Sequence, residues 1–202
     1  MPSLADLSRR LNLRHRRHGG RGRLTALLLS DPERLPDPAP LLARLPPGAA
    51  VILRAYDDPG RAERAARLAV ACRARRLRLL VADDFALAVR LRAGLHLPEH
   101  RGRAALSRVR LWRRRGNGPL SMAAHGRAAL ARAAALGCDA ALLSPVFTTG
   151  SHPGAPALGL LRLRSLLKGA ALPVYALGGL TPTRARALCG CRLAGLAGIS
   201  GF

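Results

Sequence analysis

The sequence predicts an α/β chain folded as a short (β/α)₈ TIM barrel with a truncated last helix. Eight short apolar runs, at residues 24–29, 50–54, 77–81, 93–97, 119–123, 140–144, 173–177 and 194–199, read as strands. Between most of them lie longer Ala/Leu/Arg segments of helical character, and strands separated by helices pair in parallel through right-handed crossovers. The length of 202 residues accommodates eight such units of roughly 25 residues each, the short end for this architecture. A doubly wound open sheet would produce the same alternation, so periodicity alone leaves both open.

Taken in order, residues 1–22 form a basic, glycine-ending extension, expected as a helix covering the barrel bottom or as a disordered tail. The barrel domain spans residues 23–202. After the second strand, Asp57 or Asp58 followed by Pro59 marks a helix start, with the helix over 58–75. The segment 126–136 carries Ala128, Leu130, Ala131, Ala134 and Ala135 at near-helical spacing, an apolar stripe. Thr181-Pro182 is a second helix start. The sequence ends at Phe202, just after the eighth strand, so a last helix is expected to be absent or vestigial.

At 49% hydrophobic residues the chain buries one full core, and two domains would each be small. No apolar run approaches the roughly 20 residues of a membrane span. The N-terminus lacks the apolar stretch and small-residue cleavage site of a signal peptide, so a cytoplasmic location is expected. Cys72, Cys138, Cys189 and Cys191 are expected to remain thiols, since Cys189-Gly190-Cys191 has neither redox nor zinc spacing.

The formal charge is +23, and Lys168 is the only lysine. Such a charge attracts polyanions. The arginines, however, run from end to end in a chain saturated with Ala, Leu and Gly, and aromatics are only 3%. That is too few for a base-stacking platform, which argues against dedicated nucleic-acid binding.

In a (β/α)₈ barrel the chemistry sits at the carboxyl ends of the strands. Strand seven runs into Gly178-Gly179-Leu180-Thr181-Pro182 and strand eight into Ile199-Ser200-Gly201. Glycines admit close approach to backbone amides, and a helix start adds a positive dipole end. Gly178, Gly179, Ile199 and Ser200 are therefore candidate phosphate ligands. The loop after strand six holds Thr149, Ser151 and His152 among glycines, and suits closure over an anion. His96 on strand four is either a mouth-lining residue or a satisfied core histidine; Glu99 and His100 follow it.

These segments resemble the thiamine phosphate synthase/TenI family. The run Leu142-Leu143-Ser144-Pro145-Val146-Phe147, then Thr149, Ser151 and Pro153-Gly154, is similar to the family's strand, Gly-Pro-x-Phe, Thr-x-Thr-Lys loop and Pro-Gly motif. Pro173-Val174-Tyr175-Ala176-Leu177-Gly178-Gly179-Leu180 resembles its Pro-Val-x-Ala-Ile-Gly-Gly-Ile segment. Upstream, Leu53-Arg54 matches Gln-Leu-Arg-x-Lys, Asp83-Asp84 matches Asn-Asp, and Gly94-Leu95-His96-Leu97 matches Gly-x-His-x. The likeness runs from about residue 24 to 202 and is strongest over 145–180.

The sequence also departs from the family. Ile52 stands for the Gln and Tyr56 for the Lys of the diphosphate-binding strand. Asp83 replaces the Asn, Arg101 stands where a second magnesium-binding Asp belongs, and His152 replaces the loop Lys. The resemblance implies a thiamine-biosynthesis enzyme that binds a phosphorylated thiazole. It would be a TenI-like tautomerase (isomerase) or a thiamine phosphate synthase (transferase) joining pyrimidine diphosphate to thiazole phosphate. His125 aligns with the tautomerase proton shuttle, a role a neutral imidazole suits. Arg54 and His152 would meet a carboxylate or second phosphate. Asp83 and Asp84 would hold Mg²⁺ only if synthase activity is retained. A catalytically silent barrel binding a phosphometabolite or polyanion is the third alternative, and a homo-oligomer is left open.

Overall fold

The computed structural model describes residues 2–56, 58–101, 105–150, 154 and 156–202. Eight parallel strands close in sequence order into a barrel: β1 Leu27–Leu29, β2 Ala50–Leu53, β3 Arg78–Ala82, β4 Gly94–Leu97, β5 Leu120–Ala124, β6 Ala140–Leu143, β7 Val174–Ala176 and β8 Gly195–Gly198. The closing pair is β1–β8, with Leu27 beside Ala197 and Leu28 beside Gly198. Closure decides against the open sheet that periodicity left standing. Each predicted strand is present with ends shifted by up to three residues: β1 starts at Leu27 rather than at residue 24, and β3 and β5 each run one residue beyond the expected end.

Alternation along the strands sorts the apolar residues into two cores. Leu27, Leu29, Ala50, Ile52, Leu80, Leu142, Tyr175 and Ala197 fill the barrel interior. Val51, Leu53, Val81, Leu95, Met122, Leu143 and Val174 point outward against the helices. Both sets are almost entirely removed from water, as expected of strands covered on both faces.

The outer layer contains α1 Leu4–Arg17, α2 Arg61–Ala74, α3 Phe85–Arg90, α4 Leu106–Arg114, α5 Arg127–Ala135, α6 Gly159–Lys168 and α7 Pro182–Arg186. Between β1 and β2 the connection carries only a 3₁₀ segment, Ala39–Arg44. Pro36, Pro38 and Pro40 lack the amide hydrogens that a longer helix needs. Thr181 caps α7 with its hydroxyl, and Pro182 takes the first helical position, as read from sequence. The start of α2 differs from expectation. Asp58 accepts the Gly60 amide at 2.8 Å in a turn, and the helix begins at Arg61.

The basic extension is a helix, but it covers a flank rather than the bottom of the barrel. A Ser3/Asp6 capping box starts α1. Leu4 lies against Gly201, and further along α1 the Asn12 side chain donates to Leu24 O and Ala194 O at 2.8 and 3.0 Å. The helix therefore runs antiparallel to β8, along the flank that a helix following β8 would occupy. Ser8 Oγ donates to Thr25 O at 2.6 Å and accepts Leu196 N–H at 2.8 Å. One buried hydroxyl thus bridges the seam between the first and last strands.

Among the described residues no helix is long and apolar enough to cross a membrane. The four cysteines are free thiols. Burial pushes the thiols of Cys72 and Cys138 up to about 11 and about 12, so neither is a nucleophile near neutral pH.

Candidate active site

The carboxyl ends of β6, β7 and β8 form one side of the rim. The loop after β6 is sewn to the Gly178-Gly179 turn. Val146 N–H donates to Leu177 O at 2.9 Å, and Phe147 N–H donates to Gly178 O at 3.1 Å. Arg184, in α7, donates through Nη1 to Gly179 O at 3.1 Å and Thr148 O at 3.2 Å. A trans peptide points its N–H opposite the preceding C=O. With the Leu177 and Gly178 carbonyls turned to the β6 loop, the amides of Gly178 and Gly179 face away from it.

Both glycines have positive φ, +96° and +64°. A Cβ on Gly179 would lie 2.3 Å from Thr148 O, and one on Gly178 would lie 2.9 Å from Pro145 Cα. The turn therefore requires glycine for its backbone and for its packing. The β7–β8 register, with Ala176 beside Leu196, makes this turn the neighbour of Ile199 and Ser200. Ile199 is half-buried and Ser200 exposed. Thr149 is half-buried in the β6 loop. Ser151 and His152 lie outside the described residues.

Across the barrel, Arg54 follows β2. Its Nη2 sits 2.7 Å from Asp31 Oδ2, its Nε donates to Ser30 O at 2.8 Å, and its amide donates to Ser30 Oγ at 2.8 Å. Asp31 also pairs with Arg34 at 3.1 Å. Hydrogen bonding from Arg34 holds the Asp31 carboxyl below the usual carboxylate range. Two guanidinium groups thus share one carboxylate, leaving net positive charge at this edge. Ile52, at the family's Gln position, is buried inside the barrel, and Tyr56 lies under the Arg61 guanidinium at 5.6 Å.

Asp83 and Asp84 follow β3, and each carboxylate is already engaged. Asp84 is the N-cap of α3, its Oδ1 accepting Leu87 N–H at 2.9 Å. Asp83, at a φ of +55°, pairs with Arg101 Nε at 2.9 Å. No group of three or more potential metal ligands forms among the described residues. Mg²⁺ favours several hard oxygen ligands. A helix cap and a guanidinium-paired carboxylate do not fit that ion.

His96 is buried, and its Nδ1 meets Ser121 Oγ at 2.8 Å. Desolvation, helped by the Arg54 charge, pushes its pKa down to about 3. It is a neutral core histidine rather than a proton-transfer group.

His125 stands between β5 and α5 and is exposed. Its Nδ1 is 2.6 Å from Glu99 Oε2, and its backbone amide donates to the same oxygen at 2.9 Å. The second oxygen, Oε1, accepts from Arg132 Nη2 at 3.0 Å. A cleft of about 530 Å³ is bordered by Pro98, Glu99, His100, Ala123, His125 and Arg132. A larger cleft of about 1000 Å³ lies at the amino ends of the strands, beside His15, Gly22, Cys138 and Pro173. Barrel chemistry occupies the opposite end, which makes the smaller cleft the candidate.

Sequence reading placed Glu99 near the mouth without a partner and missed Arg132, Asp31 and Arg184. Arg132 is one arginine among many on exposed helix faces, and only the packing of α5 against the turn after β4 singles it out.

The comparisons with known proteins converge. The family model described as thiamine monophosphate synthase matches residues 38–202. The chain is 34% identical over 125 residues to the putative thiamine-phosphate synthase 2 of Aquifex aeolicus, covering 61% of this chain and 65% of that protein. That match spans just under two thirds of the relative's length. It is 31% identical over 179 residues to the thiamine-phosphate synthase of Alcanivorax borkumensis, covering 85% and 78% of the two. Among solved structures, thiamine phosphate pyrophosphorylase from Pyrococcus furiosus superposes with a TM-score of 0.68 at 22% identity, over 88% of this chain and 86% of that one. That likeness shows the fold, and the family match carries the assignment. The chain belongs to the thiamine monophosphate synthase/TenI family, as a divergent member in which several synthase motif residues are replaced.

Proposed function

We propose that this chain is an enzyme of thiamine biosynthesis that binds a phosphorylated thiazole and moves a proton on it, as a TenI-like tautomerase does. The observation that carries this reading is the His125 imidazole at the carboxyl end of β5, paired through Nδ1 with Glu99 and half-open to the cleft. A positioned imidazole that gives and takes a proton serves tautomerisation directly. The Gly178 and Gly179 amides, turned away from the β6 loop, support phosphate binding with Ile199 and Ser200 beside them. Thr149, Ser151 and His152 complete the proposed substrate contacts. Arg54, beside Arg34, supplies positive charge facing a carboxylate.

The alternative is condensation of pyrimidine diphosphate with thiazole phosphate. The likeness to the thiamine-phosphate synthases of Aquifex aeolicus and Alcanivorax borkumensis favours it. The engagement of Asp83 with Arg101 and of Asp84 with α3 weighs against it. The test incubates the protein with the thiazole phosphate carboxylate tautomer, with and without pyrimidine diphosphate and Mg²⁺. Metal-independent tautomer conversion is expected. Magnesium-dependent diphosphate release would replace this reading with the synthase. Turnover of neither substrate by folded protein would leave a silent phosphometabolite-binding barrel.

A further inference from the structure

Glu99 meets His125 twice through one oxygen, and this arrangement does more than pair charges. A simple surface ion pair contributes about 0–1 kcal/mol and leaves both side chains free to move. Here Oε2 receives the backbone N–H and the ring Nδ1 of the same residue, at 2.9 and 2.6 Å. The carboxylate therefore fixes the imidazole relative to its own main chain. Arg132 holds Oε1 at 3.0 Å from the body of α5, so Glu99 is tethered from both sides. Glu99 and Arg132 are each 29% exposed, and the His125 ring they hold is 58% exposed.

An ionised carboxylate only accepts hydrogen bonds, so Nδ1 must carry the hydrogen. We propose that Glu99, held by Arg132, is the positioning residue for His125. It selects the Nδ1–H tautomer, presents Nε2 as the atom that exchanges the substrate proton, and balances the imidazolium formed when Nε2 takes that proton up. The same logic of orientation and charge compensation governs a carboxylate behind a catalytic imidazole in other enzymes. This assignment rests on the tautomerase reading for its substrate, but its geometric core does not depend on turnover.

The experiment uses the full chain with ¹⁵N-labelled histidine and reads the His125 tautomer from two-bond ¹H–¹⁵N correlations, with His125→Asn identifying the signals. The wild type is expected to show the Nδ1–H pattern. In Glu99→Gln the carboxamide can donate to the ring, so the Nε2–H pattern is expected to appear. Thiazole phosphate conversion should lose roughly tenfold to a hundredfold in kcat, the scale for losing a partner that orients a functional histidine, with KM changed less than about threefold. Arg132→Lys should retain most of the rate and Arg132→Gln should not. Circular dichroism and thermal melts select variants that keep the fold. A wild-type His125 with its hydrogen on Nε2, or a Glu99→Gln protein with unchanged tautomer and kcat, would overturn the positioning role. An Nδ1–H pattern that responds to Glu99→Gln, without conversion of thiazole phosphate, would uphold the positioning and sink the substrate assignment alone.

Discussion

Arg101 Nε lies 2.9 Å from Asp83 Oδ2, so this carboxylate already has a guanidinium as its positive partner. Calorimetric titration of the protein with MgCl₂ is expected to give no saturable heat at submillimolar concentration, and a chelator should leave thiazole phosphate conversion unchanged. Arg101→Asp should introduce measurable magnesium binding, since it removes the competing cation and adds a hard oxygen donor. Tight magnesium binding by the unaltered chain would contradict this account.

Gly179→Ala should damage the rim. Its φ of +64° is costly for alanine, about 1–3 kcal/mol. The added Cβ would also lie 2.3 Å from Thr148 O, which forces the β6 loop to move. A lower melting temperature is expected, with at least a tenfold rise in KM for the phosphorylated substrate. A wild-type KM would show that this turn does not contact it.

Ser8→Ala leaves the Leu196 N–H and Thr25 O without their shared partner. A buried polar group left unsatisfied costs about 1–3 kcal/mol. Urea unfolding should show a lower midpoint at unchanged slope, corresponding to a loss of about 1–3 kcal/mol in unfolding free energy.

His96 ties stability to pH. Its folded-state pKa is about 3, against an ordinary value of 6.5. Between these two values the unfolded chain binds the proton and the native state does not, so unfolding becomes easier as pH falls through that window. Above about 6.5 the effect vanishes. His96→Gln should flatten this part of the stability profile in urea titrations at pH 7, 6 and 5. An unchanged slope would assign the acid sensitivity to other groups.

The strands were legible because each is short, apolar and bounded by charge, Gly or Pro, and burial on both faces demands that pattern. Thr181-Pro182 was legible because a cap is a local event. Asp58 misled, since a side chain that closes a turn onto Gly60 has the same composition as one that caps a helix. The Gly178-Gly179 turn was found from its place after strand seven, but the tilt of its amides depends on carbonyl partners more than thirty residues upstream. His125 came from a resemblance. Its partners Glu99 and Arg132 are joined only when neighbouring βα units pack, and arginine abundance hides the second of them. The course of α1 along β8 could not be read locally, because its contacts span most of the chain.

That course has a consequence for how the molecule is made. Ser8 leaves the ribosome early, yet both groups it joins are present only once Leu196 has emerged. Helix α1 cannot complete this contact until β8 is available, and long-range contacts of this kind form late. Strand β8 therefore acts as the latch that fixes this helix to the sheet.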